Sequence, residues 1–275
     1  MVRNRRMAKI ATIVLASWLA FLTACGGGSS SQPAGGQLAG NWQFTLLRNP
    51  AQTIIKTQSG FLLQAGESVT GTLMLGGATC TGLGSLTGTV SGNAVSFAVQ
   101  QTAQTITMSG NLDAGGSSMS GSYTVLAQGC GVSESGIWSA VQVPAVTGTF
   151  SGTLTSLVDG STASVTATLK QGSNTGANWA AISGTITSPA PSQPDLQSPC
   201  FTSGTISGSI SGTEMVWNVL AGDGSQQGQV VMTLASDPTT PNGKYAFNAH
   251  PEYPPQAPCR YGDHGLSTLI SQSTQ

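Results

Sequence analysis

Leu86-Thr87-Gly88-Thr89-Val90-Ser91-Gly92 and Ile206-Ser207-Gly208-Ser209-Ile210-Ser211-Gly212 are one pattern written twice. Apolar residues alternate with hydroxyls or glycine, the period of a strand with one buried face, and each copy runs straight into a turn signal. The spacing that separates these segments also separates Cys80 from Cys200, so the match needs no gap. Working outward, Gly40-Asn41-Trp42 aligns with Gly148-Thr149-Phe150, Leu63-Gln64 with Lys170-Gln171, and Val69-Thr70-Gly71-Thr72 with Ile182-Ser183-Gly184-Thr185. Downstream, Gly121-Ser122-Tyr123 aligns with Gly243-Lys244-Tyr245, and Cys130 to Gly136 with Cys259 to Gly265. Preserved order over this length marks an internal duplication.

Alternation predicts eight strands in the first copy, near 40–48, 59–65, 68–75, 84–91, 94–100, 104–111, 118–125 and 134–141. The second copy repeats them near 147–156, 164–171, 179–187, 203–210, 214–220, 227–235, 243–249 and 264–271. Ser91-Gly92-Asn93 reads as a hairpin turn. The expected fold is all-β, with domains at 38–144 and 145–275. Eight short antiparallel strands bury their apolar faces and lose their edges by closing into an up-and-down barrel. A two-sheet sandwich is the alternative. Gly71, Gly88, Gly110 and Gly121 suit the bends of a small barrel. Trp42, Trp138, Trp179 and Trp217 fall in predicted strands, where core filling is the expected role.

The chain opens with a basic stretch to Lys9 and an apolar run from Ile10 to Leu22, too short to span a bilayer core of about 30 Å. That is an export signal over residues 1–24. It ends in Leu22-Thr23-Ala24-Cys25, which resembles the lipobox of bacterial lipoproteins. The resemblance implies cleavage before Cys25, palmitate-type acylation of that cysteine and attachment to a membrane of the cell envelope. Gly26 after the cysteine leans toward the outer membrane rather than the inner. The Gly/Ser-rich stretch that continues to residue 37 reads as a flexible tether.

In an exported chain the even set Cys80, Cys130, Cys200 and Cys259 reads as two disulfides. The duplication chooses among the pairings: Cys80 with Cys130 and Cys200 with Cys259, one inside each copy. Loops this long stabilise by about 4 kcal/mol each on closure. At pattern level each copy also resembles the avidin and lipocalin type of barrel, through Gly40-Asn41-Trp42, Thr70-Gly71-Thr72, Ser120-Gly121-Ser122-Tyr123 and Gly136-Ile137-Trp138. The resemblance implies architecture, and no ligand set maps across.

Four of the nine basic residues lie in the leader, leaving five against ten acids. So acidic a chain lacks the footprint of a nucleic-acid binder. Phosphate loops, zinc-protease helix motifs and nucleophile elbows are absent from the sequence. The chemically dense stretch is His250-Pro251-Glu252-Tyr253 with Arg260-Tyr261-Gly262-Asp263-His264, which straddles Cys259. It reads as a recognition loop at a barrel mouth or as a solvated loop, and His250, Glu252, Asp263 and His264 have the chemistry of a divalent-metal set. The Pro-rich run Ser188 to Pro199 reads as a surface excursion. The expected function is a non-enzymatic, membrane-tethered envelope lipoprotein that binds a small molecule or a partner surface through barrel-end loops. A structural or assembly spacer is the first alternative. A surface-glycan hydrolase using paired acids such as Glu252 and Asp263 is the second.

Overall fold

A computed structural model describes residues 38–49, 53–76, 80–129, 132–174, 176–189, 202–220, 222, 226–234, 239, 241–247 and 263–272. Residues 1–37, with Cys25, and the whole of His250 to Gly262 lie outside these residues. The first copy forms β1 (Gly40–Arg48), β2 (Thr53–Ala65), β3 (Ser68–Gly76), β4 (Gly82–Ser91), β5 (Ala94–Gln101), β6 (Gln104–Leu112), β7 (Ser118–Ala127) and β8 (Glu134–Val143). The second forms β9 (Gly148–Ser156), β10 (Thr162–Gln171), β11 (Ala180–Thr187), β12 (Ser203–Ser211), β13 (Glu214–Leu220), β14 (Gln226–Thr233), β15 (Asn242–Phe247) and β16 (His264–Ser271).

Each set pairs antiparallel in sequence order and closes on itself, β8 onto β1 and β16 onto β9. Closure rules out the sandwich alternative, because neither sheet retains an edge. β2 begins six residues earlier than its alternation suggested, at Thr53, and its ladder with β1 shifts register between Leu46 and Leu47. A register shift scrambles the period on which the sequence reading depends.

Alternation decides what fills each barrel. On β5, Val95, Phe97 and Val99 are buried, while Ser96 and Ala94 face outward. The outward positions Thr87, Thr89, Thr107, Ser109 and Ser122 carry hydroxyls. Glycine matters most where β6 and β7 cross. Gly110 faces Gly121, and a Cβ on Gly121 would sit 2.5 Å from the Gly110 Cα. Beside that gap lies Trp138, which pairs with Gly121 and donates from Nε1 to the carbonyls of Ser109 and Ser122 at 3.2 and 3.1 Å.

One end of each barrel is shut by the residue that precedes its first strand. Leu38, fully buried, donates its N–H to Gln64 Oε1 at 3.0 Å, and Val146 donates to Gln171 Oε1 at 3.0 Å. The matched Leu63-Gln64 and Lys170-Gln171 pairs are thus one clasp made twice. We call this the clasp end of each barrel.

Candidate functional site

The opposite end of each barrel also carries a duplicated device. In the first barrel the Tyr123 hydroxyl donates to Glu134 Oε1 at 3.3 Å, and Glu134 lies 3.9 Å from Arg48 Nε. In the second, the Tyr245 hydroxyl donates to Asp263 Oδ2 at 2.9 Å while Ser156 Oγ donates to Oδ1 at 2.7 Å. The register makes the sets equivalent: Arg48 pairs with Gly136 as Ser156 pairs with Gly265, and Tyr123 with Gly136 as Tyr245 with Gly265. A tyrosine on the seventh strand therefore latches an acid at the start of the eighth. Burial raises the Tyr123 phenol to about 12, with the charge of Glu134 and its hydrogen bond adding to the effect.

Asp263 is 1% exposed, so this member of the expected recognition stretch points into the barrel. His264 is exposed, since successive strand residues face opposite ways. The structure therefore does not bring Asp263 and His264 to a common centre. Among the described residues no group of three metal-ligating side chains converges. His250, Glu252, Tyr253, Arg260 and Tyr261 lie outside the described residues, as do Cys130, Cys200 and Cys259. Cys80 is buried.

The latch end receives every connection that follows an odd-numbered strand of a barrel. In the first barrel it receives 49–52, 77–81, 102–103 and 128–133, and in the second 157–161, 188–202, 221–225 and 248–263. The clasp-end links are 66–67, 92–93 and 113–117 in the first barrel and 172–179, 212–213 and 234–241 in the second. Trp179 corrects the expectation of a core ring: it precedes β11 and is 48% exposed, while Trp42, Trp138 and Trp217 are buried.

A second site joins the barrels and was not foreseen from the sequence. The hairpin Ser211-Gly212-Thr213 at the clasp end of the second barrel lies on the outer wall of β1 to β3. Asn41 Nδ2 donates to the Gly212 carbonyl at 2.8 Å, and the Gly212 N–H donates to Asn41 Oδ1 at 2.7 Å. Thr213 N–H donates to Gln43 Oε1 at 3.2 Å, Ser59 and Ser211 hydroxyls meet at 3.0 Å, and Thr72 donates to the Gly176 carbonyl at 3.0 Å. Phe61, on the wall of the first barrel, is buried within the apolar core of the second.

Some buried polar atoms have no partner: both amide atoms of Gln58, Nε1 of Trp217 and Oγ of Ser267. Each such group costs about 1–3 kcal/mol when desolvated and unmatched. The chain matches no protein-family model, and no characterised protein matches it.

Proposed function

We propose that the chain is a non-enzymatic lipoprotein of the cell envelope, held by lipid on Cys25 and leaning to the outer membrane, that binds a small molecule or a partner surface through the loops at the latch ends of its barrels. The observation that carries this reading is the asymmetry of the two ends. The clasp ends are shut by Leu38 and Val146, whereas the latch end of the second barrel takes the two longest connections between strands, 188–202 and 248–263. Variation at one end of a rigid scaffold is how loops come to carry recognition.

The cysteine pairing belongs to the same proposal. The strand order sends the Cys80 and Cys130 connections to one end of the first barrel, which supports the pairing of these two cysteines. The Cys200 and Cys259 connections go to the corresponding end of the second. Each bridge would tie two latch-end loops together.

Two experiments test the reading. Labelled palmitate should be incorporated into the wild-type chain and lost in Cys25→Ser. Deleting residues 250–258 should abolish retention of envelope components; undiminished retention of every captured component removes the loop from the proposal. The spacer alternative draws support from the Asn41–Gly212 clamp, which fixes one barrel on the other. Loss of envelope integrity on gene deletion, with no ligand captured, would favour it. The hydrolase alternative is weakened by Asp263, whose carboxylate is already engaged by Ser156 and Tyr245.

A further inference from the structure

The two barrels differ at a place where their registers match strand for strand. In the first, Phe44, Trp138 and Phe97 form a ring cluster, with Trp138 centred 6.0 Å from Phe44 and 6.2 Å from Phe97. Counting from the matched glycines, Phe44 corresponds to Gly152 and Trp138 to Ser267. Phe97 pairs with Gly88 as Trp217 pairs with Gly208, so Phe97 corresponds to Trp217. At these three positions the second barrel keeps one ring, while elsewhere it gains one, Phe247 in place of Val125. The surviving ring and the serine are buried, at 1% and 2% exposure, and Trp217 Nε1 and Ser267 Oγ both lack a partner. In the first barrel the indole of the cluster, Trp138, stands where the second has Ser267 and has two carbonyl acceptors.

Ser267 lies two residues beyond Gly265 on the inward face of β16, and a Cβ on Gly265 would meet the Tyr245 ring at 2.8 Å. The unpartnered hydroxyl is thus on the strand that begins at the Tyr245–Asp263 latch, the end to which the 248–263 connection leads. Two unmatched polar atoms in one interior, with rings absent at two positions where the first barrel has them, fit a ligand that is ring-sized and largely apolar, with an acceptor for the indole N–H and a group that can hydrogen-bond a hydroxyl. Asp263 is the charged residue buried in the second barrel among the described residues, so this interior disfavours an anion.

We propose that the second barrel binds a small neutral aromatic molecule bearing a hydroxyl or carbonyl group, held between Trp217 and Ser267 where the first barrel uses its own rings. This deepens the small-molecule reading of the latch end and rests on it. The first barrel is self-filled at this place and does not bind.

Phenol is a suitable probe for the mature chain labelled with ¹⁵N at tryptophan. The Trp217 indole signal should shift saturably with phenol, and the melting temperature should rise with phenol concentration, as linkage requires. Ser267→Trp, which installs the residue of the first barrel, and Trp217→Phe should each weaken phenol binding at least tenfold; if Ser267→Trp does not fold, Trp217→Phe decides. Benzene, lacking the substituent, should bind at least tenfold more weakly than phenol. A Trp217 signal that does not respond, contacts to water alone, or undiminished binding by either variant would overturn the site. If deletion of 250–258 abolishes capture of envelope components while Ser267→Trp leaves it intact, the latch-end reading stands and the interior site falls.

Discussion

The wall of β1 to β3 and the wall of β9 to β11 descend from one pattern, yet one receives a hairpin and the other meets solvent. Asn41, Gln43 and Phe61 on the first wall correspond to Thr149, Ser151 and Thr168 on the second. Three changes convert a hydroxyl surface into a receptor: one amide clamps a turn through both of its backbone groups, a second amide accepts from the next residue, and a ring enters the neighbouring core. The donor hairpins differ as sharply. Gly92 and Gly212 share a φ of +56°, but a Cβ at Gly92 meets nothing within 4 Å, whereas one at Gly212 would come within 2.2 Å of Gln43 Oε1 and 2.5 Å of Ser59 Cβ. The duplication conserved strand order and register, and the two copies diverged where they touch.

The largest test of this contrast is Phe61→Ala. Truncating a ring buried in an apolar core costs about 3–5 kcal/mol, and the loss should register in the second barrel although the residue belongs to the first. Hydrogen exchange resolved by strand should show β9 to β16 losing protection, while Thr168→Ala, at the exposed matching site, changes stability by about 0.5 kcal/mol or less. Equal effects at both sites would mean that the walls are not distinguished by Phe61.

Gly212→Ala and Gly92→Ala sharpen the same point. Both place a side chain at positive φ, costing about 1–2 kcal/mol, and Gly212→Ala adds overpacking of about 1–3 kcal/mol against Ser59 and Gln43. Denaturant unfolding should separate the two variants by the second amount. Asn41→Ala should follow at about 2 kcal/mol, because it leaves the Gly212 N–H and carbonyl buried without partners. Thr149→Ala, at the matched exposed position, is its control.

The smallest effect is electrostatic. The Tyr123 phenol is raised from its ordinary value of 10.0 to about 12, so the folded state favours the protonated ring. Its contribution is complete below pH 10 and is lost as pH climbs toward 12, where the unfolded chain ionises first. Tyr123→Phe should flatten that part of the stability curve measured by denaturant midpoints. An unchanged slope would show that burial does not hold this phenol protonated.

Fold class was legible because period-two alternation and an internal repeat are both local signals. The latches were nearly legible: Tyr123 matches Tyr245, and Glu134 and Asp263 occupy the same place within the aligned cysteine segments. What was lacking was the register that brings β7 beside the start of β8. The clamp was not legible, since Asn41 and Gly212 are 171 residues apart and each sits in an ordinary motif. One trace did exist in Gly60-Phe61-Leu62, three consecutive buried positions where alternation demands an outward residue. Trp179 misled because a ring next to a predicted strand resembles a core ring, and its exposure depends on where β11 begins.

A wall that accepts the end of another barrel makes a contact between unlike surfaces, and such contacts close only where the rotation between units completes a ring. Had β9 to β11 kept the asparagine, the glutamine and the phenylalanine, the turn at Gly92 would have found a vacant seat on the next molecule. Chains would then add head to tail, into a ring or an open filament. Threonine and serine in those places leave the second wall without the clamp.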